Sequence, residues 1–226
     1  LGLNKKLVAV LFLVILVLAP LGVLTYGYLH FSSNVYPDKE PLEKVVVKVP
    51  YKGIDYRILL ESYNTGDPIL DLNLTLRGNV YESMTIIVGD PMFRNCDART
   101  LGDVCVWRTR TATEISAVLS PVFTANRYWY YKGKGYDENE SMARAQADVE
   151  KIHVTSLGFI QRVEIGLGLI GNKKHLLVML RGPAEGGKID RIYSPKEGIV
   201  VLEATNEQTL FAEVLLLKAI IGSRVK

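Results

Sequence analysis

Few residues of this 226-residue chain have types and spacing that could do chemistry. Histidine stands only at His30, His153 and His175, with no second ligand two to four positions away to complete a metal pair. Gly166-Leu167-Gly168-Leu169-Ile170-Gly171 matches G-x-G-x-x-G letter for letter. That motif holds a pyrophosphate only between a strand and the N-terminus of a following helix. Here Asn172-Lys173-Lys174 reads as a turn and HLLVMLR as the strand after it, so a glycine-rich hairpin is expected. No G-x-S-x-G elbow occurs, and no serine stands out as a nucleophile. Glu138 and Glu140 sit at a helix start, where the helix dipole favours acidic side chains. No catalytic, cofactor-binding or metal-ligating residue is assigned, and the sequence points away from an enzyme.

Other groups suggest location and contact. Cys96 and Cys105 are the only cysteines and could close a short loop. A bridge there would stabilise by roughly 2–3 kcal/mol, less any strain; the alternative is two free buried thiols. Asn73-Leu74-Thr75 and Asn139-Glu140-Ser141 are acceptor triplets for N-glycans. Residues 127–134, RYWYYKGK, concentrate rings and cations. Alternate rings could fill the core, or the cluster could meet a partner or sugars. A net charge of +3 is too small to argue for nucleic acid.

The elements that must position these groups begin with an apolar run. Residues 7–37 contain no Asp, Glu, Lys or Arg, and residues 7–24 are almost purely aliphatic. A bilayer needs about 20 such residues as a helix. Lys5 and Lys6 before the run and Asp38 and Glu40 after it favour a cytoplasmic N-terminus and an exterior bulk. Pro20 should kink this helix, with Gly22 easing the kink. The polar stretch of residues 32–41 then ends it.

Beyond that break the pattern favours strands at residues 44–49, 55–62, 70–77, 80–88, 104–111, 159–166, 176–181, 191–193 and 198–204. In residues 70–77, Leu70, Leu72, Leu74 and Leu76 alternate with polar residues. A polar helix is expected after Asp137 or Asn139, with a stripe of Met142, Ala145, Val149 and Ile152. A second helix, capped by Thr205 and Gln208, runs over residues 210–221 with Glu213 and Lys218 as its solvated positions. The expected fold class is therefore mainly β with α. A long N-terminal apolar helix (residues 1–33) precedes an antiparallel β-sandwich-like exterior domain (residues 34–226) with two accessory helices.

In layout the chain resembles an archaeal type IV pilin: an apolar helix at the N-terminus, then a β-rich exterior domain with glycosylation triplets. Pro20 is similar to the proline in the helix of many such pilins. Asn4, Lys5 and Lys6 depart from the pattern, since that family is usually apolar there or carries one acidic residue. The resemblance implies a structural subunit of an extracellular filament, assembling through Leu7, Leu11, Val14, Leu18, Pro20 and Gly22. Its implied partners are further copies of itself, a membrane before assembly, and surface glycans, with no cofactor. The alternative is a membrane-anchored extracytoplasmic binding or accessory domain. Donor-strand exchange through residues 44–49 is a third reading.

Overall fold

A computed structural model describes the backbone of residues 5–90 and 98–223, and the side chains of residues 16, 18–90 and 102–223. Helix α1 (Lys5–Val35) leads into the hairpin β1 (Glu43–Tyr51) and β2 (Ile54–Ser62). Then come α2 (Pro68–Arg77), β3 (Ser83–Ile87), α3 (Ala98–Gly133), α4 (Glu138–Ala147) and β4 (Ile152–Thr155). The chain continues with α5 (Phe159–Gly166), β5 (His175–Arg181), β6 (Arg191–Tyr193), β7 (Ile199–Glu203) and α6 (Glu207–Gly222).

The expected antiparallel sandwich is overturned. Among the described residues seven strands form one mixed sheet in the order β1-β2-β6-β7-β5-β3-β4. The run β7-β5-β3-β4 is parallel. Parallel neighbours need crossovers, supplied by α3 with α4 between β3 and β4 and by α5 between β4 and β5. Helices therefore cover both faces, and the central strands are buried on both. In β5, Leu176, Val178 and Leu180 join the core beneath α2, α3 and α6, while Leu177 and Met179 join the core beneath α5 and the end of α1. β7 divides likewise, Val200 and Leu202 against Ile199 and Val201. Such strands read as continuous apolar runs rather than alternating ones.

Three expected strands are helical, each for a local reason. Asp67 caps α2, accepting from the Ile69 and Leu70 amides, and Pro68 opens it. The four leucines then divide by helical spacing: Leu72 and Leu76 are buried, Leu70 and Leu74 exposed. Residues 104–111 belong to α3, whose stripe Arg108, Thr111, Ile115, Leu119, Phe123 and Arg127 is buried at helical intervals. Gly102 interrupts the helix with φ 55°. Residues 159–166 are α5. Asp137 does cap α4, and Ala145 from its expected stripe is buried while Met142 is exposed.

The expected long apolar N-terminal helix is corrected as well. Among the described residues no helix is long and apolar enough to cross a membrane. The described end of α1 is instead built into the domain, with Phe31 and Val35 buried in the second core. Leu7, Leu11 and Val14 lie outside the described side chains. Leu18, Pro20 and Gly22 are exposed, and nothing lies within 4 Å of a Cβ placed on Gly22.

Helix α6 is capped by Asn206 rather than Thr205 and is buried along most of its length. Its expected solvated residue Glu213 is fully buried, and among the described residues neither carboxyl oxygen has a well-formed hydrogen-bond partner. Burial above all, then the charges of Asp190 and Glu203, raises its pKa well above the usual carboxylate value. The folded chain thus holds this proton where the unfolded chain releases it, so stability falls as pH rises above the unfolded carboxylate value. Glu213→Leu should stabilise the protein by about 1–3 kcal/mol, the range for relieving an unpaired buried polar group. The gain should be larger at pH 8 than at pH 4 in denaturant unfolding; a variant less stable at both would refute this account.

Candidate functional site: a polar groove beneath α5

Strands β4, β3 and β5 run parallel in a register that pairs Ser83 with His175, Thr85 with both Leu177 and His153, and Ile87 with Thr155. Paired residues of neighbouring strands point to the same face, and alternate residues share it. Ser83, Thr85, His153, Thr155 and His175 therefore all point to the face carrying α5. β4 is the edge strand. Between that edge and α5 lies a groove of about 590 Å³, walled on the helix side by Gln161, Glu164, Leu169 and Ile170.

The polar groups are held from several sides. His175 Nδ1 lies 2.6 Å from Ser83 Oγ. The His175 amide donates to Asn172 Oδ1, and the Gly171 and Asn172 amides donate back to the His175 carbonyl. Gly168 (φ 68°) and Gly171 (φ 73°) supply the left-handed turns that this loop requires. The G-x-G-x-x-G string is thus a helix-to-strand connection, not the expected hairpin, and the element that follows it is β5 rather than a helix. Gln161 Oε1 accepts from the Gly158 amide at the start of α5.

Helix α5 sits where it does because α1 holds it. A Cβ on Gly166 would lie 1.6 Å from the Gly27 carbonyl oxygen, so the two backbones touch. Asn34 donates to the Ile165 and Gly166 carbonyls, two of the groups that a helix C-terminus leaves unsatisfied. Lys196 in turn donates to Asn34 Oδ1 at 2.7 Å. Burial lowers the Lys196 pKa.

In open α/β sheets ligands usually bind beyond the carboxyl ends of the parallel strands. Here that edge is filled by ion pairs. Arg108 donates to Glu207 through Nε and Nη2, to Glu185 through Nη2 and to the Val88 carbonyl through Nη1. Burial opposes the Arg108 charge, but the two carboxylates hold its pKa above the ordinary value. Beside it, Arg191 binds Glu203 and Glu61, and Arg181 binds Glu203. These side chains are all at most one-fifth exposed, which marks the cluster as a plug.

The residues singled out by sequence are dispersed. His153 and His175 meet at the groove, while His30 Nδ1 contacts the Tyr26 carbonyl on α1. Among the described residues no group of three His, Cys, Asp or Glu is placed to hold a metal ion. Cys105 is buried and disulfide-bonded, and Cys96 lies outside the described residues. Asn73 is buried in α2 and its amide donates to the Ile69 carbonyl, whereas Asn139 is exposed in the first turn of α4. Of the aromatic cluster, Arg127 and Tyr131 bind Asp148 inside the domain, and Trp129 is exposed. Ser83, Thr85, Gln161 and Glu164 were missed by sequence reasoning, because only the parallel register and the α5 crossover bring them together. No protein-family model matches the chain, and no curated protein or solved structure is significantly similar to it.

Proposed function

We propose that this chain is an extracytoplasmic binding or accessory domain held at a membrane by its apolar N-terminal segment. The observation that carries this reading is a band of exposed apolar side chains on α1: Leu16, Leu18, Leu21, Val23, Leu24 and Leu29, with Tyr26 and Tyr28 towards its domain end. Phe159 and Ile160 of α5 extend the band, Phe159 stacking on Tyr28 at 5.5 Å. Contiguous apolar surface of this kind marks an interaction site, and tyrosines suit the water boundary of a bilayer. In the sequence, residues 7–15 carry no charged side chain.

A filament subunit would use the same band against copies of itself. The open surface at Gly22 favours that second reading, because close helix packing needs small residues. Flotation of the full chain with phospholipid vesicles separates the two. The membrane reading expects co-flotation that is lost in the double variant Leu21→Glu/Leu24→Glu and unchanged in Gly22→Leu. Full-chain protein that stays at the bottom of the gradient would refute it. Fibres on cells that vanish with Gly22→Leu would transfer the case to the filament.

A further inference from the structure

We propose that the groove between β4 and α5 binds an uncharged polyhydroxylated ligand, a sugar unit. The inference goes beyond the membrane reading and does not depend on it. Its basis is the chemistry of the lining. Three hydroxyls (Ser83, Thr85 and Thr155), two imidazoles (His153 and His175), the Gln161 amide and the Glu164 carboxylate converge on one concave surface. Hydroxyls, amide and imidazoles can each donate and accept, which suits a ligand whose hydroxyls do both.

Other ligand classes fit this lining less well. Among the described residues no lysine or arginine lines the groove, and Glu164 does, so a phosphate or carboxylate would meet repulsion without a fixed cation. The single carboxylate and two imidazoles do not form a metal-holding group. A drug-like apolar molecule would leave the polar lining desolvated and unpaired, which opposes its binding. Leu169 and Ile170 give one apolar flank, enough for the carbon face of a pyranose ring. A volume of about 590 Å³ accommodates one or two such rings.

Several of these polar groups already have fixed positions. Ser83 and His175 hold one another, and the Asn172 turn fixes the His175 backbone. Gln161 is anchored through Oε1, which leaves its amide nitrogen uncommitted among the described residues. Glu164 has no ion-pair partner among the described residues. Fixed polar groups with unused capacity lower the ordering cost of binding.

The three histidines make the test direct, since His153 and His175 line the groove and His30 lies on α1. Ring resonances of the full chain, kept in solution with mild detergent, would be followed during titration with methyl glucoside, methyl galactoside, methyl mannoside, N-acetylglucosamine and lactose. At least one of these should shift the His153 and His175 signals saturably and leave His30 unmoved. Glu164→Gln, an exchange on a partly exposed helix position, should weaken that binding about tenfold, the effect of one charged hydrogen bond. Ser83→Ala should weaken it by a similar factor; if that variant fails to fold, Glu164→Gln carries the test. The proposal is overturned if no sugar in the panel shifts the pair. It is equally overturned if inorganic phosphate or zinc shifts it at lower concentration, or if Glu164→Gln binds as the parent does.

Discussion

Arg108→Leu is expected to destabilise the protein by about 3–5 kcal/mol, the usual result of removing one partner from a buried ion pair. The Arg108 side chain is only 2% exposed, and its partners Glu185 and Glu207 are scarcely more so. Leucine would leave two carboxylates in a space that water does not reach. Glu185 would keep the Asp90 and Gly182 amides, and Glu207 would keep its place in the first turn of α6. Those contacts stabilise negative charge without neutralising it. Arg108→Leu combined with Glu207→Leu should recover part of the stability, because fewer unpaired charges remain. Denaturant unfolding of the three proteins at pH 7 checks this. A loss below about 1 kcal/mol for the single variant would show that the cluster is more hydrated than its burial implies.

The second large effect is expected at the crossing of α1 and α5. Gly166→Ala would place a methyl group 1.6 Å from the Gly27 carbonyl oxygen and 2.5 Å from its carbon. Both are backbone atoms, so no side chain can turn aside and the helices must separate. Overpacking typically costs about 1–3 kcal/mol and more where the backbone itself must move. Separation would also pull Asn34 from the α5 carbonyls and Phe31 and Val35 from the second core. Amide exchange should speed up along residues 27–35 and 159–167, with the β1–β2 hairpin unaffected. Gly22→Ala supplies the control, since nothing lies near it and alanine is the better helix former by about 1 kcal/mol. Equal exchange rates in Gly166→Ala and the parent would mean that the two helices do not pack this closely.

Legibility in the sequence followed the kind of physics involved. The α4 cap at Asp137 and the C-terminal helix were readable because their signals are local. Residues 70–77 misled because their alternation imitates a strand, while Asp67 and Pro68, which start the helix, are residue types equally common in turns. The stripe in α3 was present in the sequence, but Arg108 and Arg127 occupy two of its buried positions and break an apolar pattern. Both are buried because their acidic partners come from distant segments. Glu213 misled for the opposite reason: an ionisable residue on a helix reads as solvated, and here it is fully buried, which raises its pKa. The groove was illegible altogether, since its polar residues derive from three strands and one helix whose register only the parallel sheet defines.

The clasp at Asn34 has a mechanical consequence. A domain tethered by a pliable linker swivels and samples many attitudes relative to its support. Here the last turns of α1 are cemented to α5 by Asn34, Lys196 and the Gly27–Gly166 contact. Helix and domain should therefore turn as one body, like a mast stepped into a hull. Whatever fixes the tilt of α1 then also fixes which way the mouth of the groove looks. The helix becomes an aiming device as well as a support.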